Sequence, residues 1–244
     1  DFTPAQRAVI DHAAGDLLVV AGPGTGKTRV VVERISRLIE RRAAAPQGIL
    51  ALTFARRAAG EMQIRLSQRL GARAGPVTVG TFHSFCLNLM RRHYAALGYA
   101  SPPQVAGPRD QLELLRGALA AMNDETLGPL APIAGRAFGA GLIAEAIGRI
   151  AEAPADAFDA PVRHALEAVA AAYRDAVRTR GMVDQPAMVP EAVTLCERDD
   201  TVAAELRERY RFVIVDEYQD TNRPQNRLLE LLAPPGSNLM VVGD

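Results

Sequence analysis

Residues 19–28 read VVAGPGTGKT, and this segment carries most of what the sequence says about architecture. It joins an apolar strand, a glycine-rich turn and a helix start near Lys27, which is the layout of a phosphate-binding loop, with Ala21 replacing the usual first glycine. Glycines let successive main-chain N–H groups turn inward around phosphate oxygens, and the helix N-terminus adds its positive dipole end. We expect Lys27 to reach the β- and γ-phosphates and the Thr28 hydroxyl to bind Mg²⁺. The segment therefore predicts a nucleoside triphosphate site.

The rest of the chain supplies the strands of an α/β fold. Strands are predicted at 17–21, 48–54, 76–80, 211–216 and 238–243. Most of these runs are apolar throughout, as in parallel strands covered by helices on both faces. Helical patterns follow most of them, at 27–42, 55–70, 82–97 and 223–232. This alternation predicts a doubly wound parallel sheet with ligands at the carboxyl ends of its strands.

The amino-acid composition changes between residues 98 and 180, which are rich in Ala, Leu and Arg and contain no convincing strand. Helical windows are predicted at 111–122, 140–153 and 162–180. We therefore expect an all-helical subdomain over 98–180, inserted into an α/β domain made of 1–97 and 181–244.

Composition limits the class of protein. The chain has 244 residues, 48% hydrophobic and 23% charged, with a formal net charge of zero, so composition alone indicates no nucleic-acid partner. No apolar run approaches the roughly 20 residues that span a bilayer, and no signal peptide opens the chain. Cys86 and Cys196 match no metal spacing and are expected to be free thiols in a reducing compartment, the cytoplasm. Because the first residue is Asp1, we expect the sequence to be part of a longer chain.

A second half of the nucleotide site is predicted at residues 212–217, FVIVDE, an apolar strand ending in two acids. Asp216 is expected to hold Mg²⁺ opposite Thr28, and Glu217 to orient and help deprotonate the attacking water. A GTPase would carry Asp-x-x-Gly and Asn-Lys-x-Asp, whereas DEYQ stands at 216–219 and Asn-Lys-x-Asp is absent. A small-molecule kinase does not need a water-activating glutamate. ATP hydrolysis is therefore favoured, with Lys27 and Glu217 as the catalytic candidates.

Six motifs in order resemble those of the superfamily 1 DNA helicases of the UvrD, Rep and PcrA type, over essentially the whole chain. They are FTPAQR at 2–7, the loop at 21–28, ILALTFA at 49–55 with Ala58-Ala59, TFHSF at 81–85, VDEYQDTN at 215–222 and VVGD at 241–244. The resemblance implies a RecA-like P-loop NTPase domain with an inserted helical subdomain. It also implies that Gln6 reads the adenine edge of ATP. The nucleotide-binding candidates are Gln6, Ala21, Gly22, Pro23, Gly24, Thr25, Gly26, Lys27, Thr28 and Arg29.

The same resemblance implies ATP-driven movement on single-stranded DNA, usually 3′ to 5′, in repair, replication restart or recombination. It implies a second motor domain, which supplies arginines to the γ-phosphate, and it leaves open a nuclease domain or subunit as a partner. Two other classes stay open: a subunit that binds ATP and DNA as a scaffold without unwinding, and a P-loop ATPase that acts on no DNA. The intact Lys27, Thr28, Asp216 and Glu217 disfavour the first. The DNA-contact motifs disfavour the second.

Candidate DNA contacts come from the two motifs that follow the second and third strands. Single strands are gripped by aromatic stacking and by hydrogen bonds and charges on phosphates. The candidates are Thr53, Phe54, Arg56, Thr81, Phe82 and His83.

Each DNA candidate also has a structural interpretation. Phe54 and Phe82 suit core packing, and Thr81 suits the N-cap of the helix that it precedes. His83 suits a helix-start contact, and Arg56 suits a solvated helix face. It is the family resemblance that favours the DNA interpretation.

Overall fold

The computed structural model describes residues 2–136, 138–150 and 157–244. The strands are β1 (Leu17–Val20), β2 (Ile49–Thr53), β3 (Thr78–Thr81), β4 (Gln104–Val105), β5 (Met182–Val183), β6 (Phe212–Val215) and β7 (Leu239–Gly243). The helices are α1 (Pro4–Asp11), α2 (Lys27–Glu40), α3 (Arg56–Leu70), α4 (Phe82–Arg92), α5 (Pro108–Ala121), α6 (Asp124–Leu127), α7 (Ala131–Ala134), α8 (Gly139–Ile150), α9 (Ala160–Thr179), α10 (Gln185–Arg198), α11 (Asp200–Arg209) and α12 (Arg223–Leu232).

A five-stranded parallel sheet in the order β1-β7-β6-β2-β3 forms the framework of the α/β part. Every residue of β2 and β6 is buried, which explains why their sequences are apolar without alternation. One core joins the sheet to α2 and α3 and includes the buried side chains of Ile35, Met62 and Ile214. The predicted parallel α/β fold is confirmed.

Parallel pairing aligns the carboxyl ends of the strands. Val20 lies opposite Gly243 in the β1–β7 pair, and Leu52 lies opposite Val215 in the β2–β6 pair. The Asp216 main-chain N–H then bonds the Leu52 carbonyl at 2.9 Å. As a result, the loop after β1 and the acids after β6 emerge at the same edge of the sheet, separated by β7.

The chain divides into two compact units, Asp1–Leu89 with Val189–Asp244 and Met90–Met188. Their borders fall within α4 and α10. Compactness does not by itself define an insertion, so the division into 1–97 with 181–244 and 98–180 stays a prediction.

The second unit is built mainly from helices around its own core, in which α5, α8 and α9 contribute Leu115, Ile143 and Val169. A short strand pair joins Gln104 to Met182 and Val105 to Val183. Residues 98–180 are therefore not all-helical as predicted, because a two-residue strand carries no periodicity by which the sequence could indicate it. The predicted helical window at 140–153 corresponds to α8, and its residues 151–153 lie outside the described residues.

Five helices were not predicted: α1, α6, α7, α10 and α11. The bounds of the predicted elements agree with the structure to within a few residues. The largest difference is at α4, which ends at Arg92 rather than at residue 97, because the following segment closes turns such as Gly98 N to Ala95 O and Tyr99 N to Tyr94 O. In the part of the chain that the structure describes, no single helix is both long and apolar enough to cross a bilayer, and one bent pair (Asp124–Ala134 with Gly139–Gly148) meets those criteria by length and composition only.

Candidate functional site

The phosphate loop connects β1 to α2 and depends on two glycines. Gly24 and Gly26 have φ of 74° and 84°, a left-handed conformation that other residues seldom adopt, and Gly26 is the residue before the first turn of α2. Thr25 Oγ1 donates to the Gly22 carbonyl at 2.7 Å and closes the turn. Because α2 begins directly after this turn, its free N–H groups and its positive dipole end face the loop, as an anion site requires.

Lys27 folds back over its own loop. Its Nζ donates to the Ala21 carbonyl at 3.0 Å and forms an ion pair with the Asp244 carboxylate. The ammonium therefore lies at the loop where phosphates are expected, and only 9% of the Lys27 side chain is exposed. Asp244 was not among the candidates, because nothing in the sequence shows that β7 pairs beside β1.

Thr28 and Asp216 lie together although 188 positions separate them in the chain. Thr28 Oγ1 donates to Asp216 Oδ2 at 3.0 Å, and Asp216 is 2% exposed. Burial raises the pKa of the Asp216 carboxyl above its usual value, while the bond from Thr28 opposes that rise. A bound cation next to this buried carboxylate would offset the cost of ionising it.

These two oxygens fit a magnesium ion. Oxygen ligands of one octahedral Mg²⁺ at about 2.1 Å lie about 3 Å apart, which matches the Thr28–Asp216 separation of 3.0 Å. Among the described residues, no group of three or more His, Cys, Asp or Glu side chains could hold a metal ion. A site with two protein ligands suits Mg²⁺, which usually keeps waters and substrate phosphates as its other ligands.

Glu217 has an unusual backbone. Its φ of 58° and ψ of 46° are left-handed, which costs free energy in a residue with a side chain and is common at functional sites. Its main-chain N–H bonds Asp216 Oδ1 at 3.1 Å, and its Oε2 accepts from Gln219 Nε2 at 2.7 Å. The structure thus gives the predicted base a fixed partner, Gln219, that the sequence analysis did not single out.

Gln219 also contacts the end of β7. Its Oε1 accepts from the Asp244 main-chain N–H at 3.2 Å, and a Cβ at Gly243 would lie 2.8 Å from the same oxygen. A side chain at residue 243 would therefore push Gln219 away. In the sequence, the position of Gln219 two residues after the Asp216-Glu217 pair was the one indication that it could contact the base.

Gln6 lies beside the phosphate loop. Helix α1 starts with a capping box, in which Thr3 Oγ1 accepts from the Gln6 N–H and Gln6 Oε1 accepts from the Thr3 N–H. Gln6 Nε2 then donates to the Thr25 carbonyl at 3.0 Å. Arg29, the last nucleotide candidate, stacks over the Phe2 ring at 4.5 Å. The candidates for nucleotide binding and catalysis are thus brought to one edge of the sheet.

The hydroxyl candidates for DNA contact have internal partners. Thr53 is fully buried, and its Oγ1 donates to the Ala55 carbonyl at 3.0 Å. Thr81 is 5% exposed and caps α4, since its Oγ1 accepts from the Ser84 N–H while Ser84 Oγ accepts from the Thr81 N–H. Phe82 is 3% exposed. These observations favour structural roles for all three, and their contact with DNA stays a prediction.

Phe54, Arg56 and His83 differ from that group. Phe54 is 54% exposed, a large fraction for an aromatic ring, and Arg56 is exposed at the start of α3. Burial, and then the charge of Arg56, lower the pKa of His83, which favours the neutral imidazole. An exposed aromatic ring can stack on a base, and a nearby guanidinium or imidazole N–H can bond a phosphate.

Comparison with known proteins gives a consistent result. A family model described as "UvrD/REP helicase N-terminal domain" matches residues 2–244. The chain is 33% identical over 240 residues to DNA helicase II of Escherichia coli (strain K12), covering 98% of this chain and 33% of that protein. It is 31% identical over 246 residues to ATP-dependent DNA helicase PcrA of Staphylococcus aureus (strain Mu50 / ATCC 700699), covering 98% and 32%. The chain therefore spans about a third of the length of the curated relatives that it matches.

Proposed function

The chain belongs to the UvrD/REP helicase N-terminal domain family, and from that premise we propose that it is the nucleotide-binding part of an ATP-dependent DNA helicase or translocase. The observation that carries the proposal is the 3.0 Å contact between Thr28 and Asp216. It unites a phosphate loop and an acid pair at one edge of the sheet, which is the arrangement that ATP hydrolysis requires.

Each residue has a distinct task in this proposal. The loop and Lys27 bind the phosphates, while Thr28 and Asp216 would hold Mg²⁺, which would supply positive charge against the phosphates. Glu217, steadied by Gln219, accepts a proton from the attacking water. Gln6 contacts the adenine base.

Hydrolysis would drive movement along single-stranded DNA. We place the strand across the tips of β2 and β3, with Phe54 stacking on a base and Arg56 pairing with a phosphate. A 3′ to 5′ direction, a role in repair or recombination, a cytoplasmic location, a second motor domain and a nuclease partner are the finer parts of the proposal. They rest on the resemblance to helicases of this family.

The test measures ATP binding and DNA-stimulated hydrolysis in the full-length protein. Lys27→Ala should abolish both, because the phosphates lose their cation. Glu217→Gln should keep ATP binding and lower the turnover rate about 10²–10⁴-fold, the range that a general base contributes. Glu230→Gln is the matched control, since Glu230 is an exposed glutamate of α12 paired with Arg227. An unchanged rate in Glu217→Gln would remove Glu217 from the mechanism.

A further inference from the structure

The amide of Gln6 is held in one orientation by main-chain groups. Its Oε1 accepts from the Thr3 N–H at 2.9 Å, and its Nε2 donates to the Thr25 carbonyl at 3.0 Å. A main-chain N–H can only donate and a carbonyl can only accept, so the two ends of the amide cannot exchange places. A glutamine amide has two lone pairs and two N–H donors. One of each therefore remains for a ligand.

The remaining acceptor and donor match adenine better than guanine. Adenine presents an amino donor at N6 beside an acceptor at N7, which a glutamine amide binds with two hydrogen bonds. Guanine presents two acceptors, O6 and N7, so its O6 would face Gln6 Oε1 without a proton between them. Discrimination between the bases thus depends on how firmly the Gln6 amide is held.

Helix α1, which carries Gln6, has little apolar packing of its own. It is eight residues long, and Ile10 is its one buried side chain, with Val9 packed against the core from a partly buried position. The capping box with Thr3 fixes its first turn. The C-terminal end of α1 needs a second contact if the helix is to keep one orientation relative to α2.

Arg34 supplies that attachment from inside α2. It is 2% exposed, and its Nη1 donates to the carbonyls of Val9 at 3.0 Å and His12 at 2.5 Å. These carbonyls lie at the C-terminal end of α1, where such groups lack helical partners and the dipole is negative. Within the described residues Arg34 forms no ion pair with a carboxylate, so its charge is directed at this helix end.

The ion pairs that join α1 to α2 and to the residue after it are exposed. Asp11 pairs with Arg37 at 3.4 Å and with Arg41 at 2.8 Å, and the three side chains are 39–54% exposed. Exposed ion pairs contribute little to stability. Besides the packing of Ile10 and Val9, Arg34 is therefore the buried polar contact that can fix the end of α1 in place.

We propose that Arg34 is a positioning residue for base selection. By tying the end of α1 to α2, it fixes the Gln6 amide relative to the phosphate loop, and the site then prefers adenine over guanine nucleotides. Helix α2 begins at Lys27, so one rigid element sets the place of both the phosphates and the base reader. The inference rests on the proposed function, because it requires a nucleotide with its base at Gln6.

The experiment measures equilibrium binding of Mg·ADP, Mg·GDP and tripolyphosphate to the full-length protein. Arg34→Met should lower the preference for ADP over GDP about tenfold. This is roughly the value of the two neutral hydrogen bonds between the Gln6 amide and adenine, which a displaced amide would lose. Tripolyphosphate has no base, so its affinity should change less than twofold. Arg34→Lys keeps the charge and one donor group but not the planar fork, and should lower the preference about threefold. Arg41→Met, at the exposed C-cap of the same helix, should bind all three ligands as the unaltered protein does.

The outcomes separate this proposal from the proposed function. If the unaltered protein binds neither ADP nor tripolyphosphate, the nucleotide site itself is wrong. If it binds tripolyphosphate without preferring ADP, Gln6 does not read the base, and the role of Arg34 fails with it. If it prefers ADP and Arg34→Met keeps that preference at a lower melting temperature, Arg34 is only structural. Should Arg34→Met not fold, Arg34→Lys decides, because the full preference in that variant overturns the proposal.

Discussion

Two parts of the same sheet edge are built in opposite ways. At the tips of β1 and β6, side chains distant in sequence bond one another, as Thr28 and Asp216 do at 3.0 Å. At the tips of β2 and β3, the corresponding polar side chains bond their own neighbours. Thr53 contacts the carbonyl two residues ahead, and Thr81 and Ser84 bond each other. We call these the nucleotide edge and the β2–β3 edge.

The difference shows what a motif can mean. On the nucleotide edge, the side chains of the motif residues are themselves the groups that would contact the ligand. On the β2–β3 edge, the buried hydroxyls shape the chain, and the exposed Phe54 and Arg56 are left to meet a ligand. We therefore expect substitutions on the first edge to affect chemistry, and those on the second to divide into stability effects and binding effects.

The largest expected effect concerns whether the nucleotide edge can hydrolyse ATP without residues from a second domain. Residues 1–244 alone should bind Mg·ATP but hydrolyse it about 10³–10⁵-fold more slowly than the full-length protein. Lys27 supplies the cation of the loop, whereas the arginines for the γ-phosphate are expected on the second motor domain. Single-turnover hydrolysis at saturating ATP would measure the ratio.

Two controls make that measurement decisive. A cooperative thermal transition must show that the shortened chain folds, and ATP must raise its melting temperature. Rapid hydrolysis stimulated by DNA would mean that the nucleotide edge needs no second domain.

The next effect concerns Phe54 on the β2–β3 edge. Phe54→Ala should weaken single-stranded DNA binding by about 1–3 kcal/mol, the value of stacking one base on an aromatic ring. Because the ring is 54% exposed, the melting temperature should hardly change. Fluorescence anisotropy with an oligothymidine would give the affinity.

Thr53→Val is the matched control, one residue earlier and fully buried. It should lower the free energy of unfolding by about 1 kcal/mol, because the Ala55 carbonyl loses its donor, and leave DNA affinity unchanged. If Thr53→Val weakens DNA binding while Phe54→Ala lowers only stability, the two residues have the opposite roles.

The sequence predicted the strands and helices around the nucleotide edge well, for physical reasons. Short apolar runs without alternation are typical of central parallel strands, so β2 and β6 were identified. Helix α12 has its predicted bounds, since Asn222 caps its start. In the phosphate loop, Gly24 and Gly26 stand where φ is 74° and 84°, so these glycines indicated where the chain turns.

Other features depended on tertiary contacts that no local pattern reports. In the sequence, Arg34 is indistinguishable from an ordinary exposed helix arginine. It is buried because α1 packs against α2. The burial of Thr53 and Thr81 follows from β2–β3 pairing rather than from residue type. Asp244 reaches Lys27 because β7 lies between β1 and β6, an order that the sequence does not show.

The smallest effect concerns two neighbouring arginines at the start of α3. Arg56 lies near enough to His83 to lower the pKa of that imidazole, whereas Arg57 Nε donates to Glu61 at 3.1 Å and its side chain is 91% exposed. Arg56 thus faces the β2–β3 edge, and Arg57 pairs along its own helix. Arg56→Ala should reduce the slope of log affinity for single-stranded DNA against log salt by about 0.7, the value for one phosphate contact.

Arg57→Ala should leave that slope unchanged, since it removes the same formal charge from the next position but only breaks an exposed ion pair. Affinities of both variants would be measured in salt from about 50 to about 200 mM, where the effect of counterion release is large. Equal losses of slope would mean that the DNA senses the net charge of this helix end rather than one guanidinium. The β2–β3 edge would then attract the strand by its electrostatic field, and Phe54 alone would fix where the strand lies.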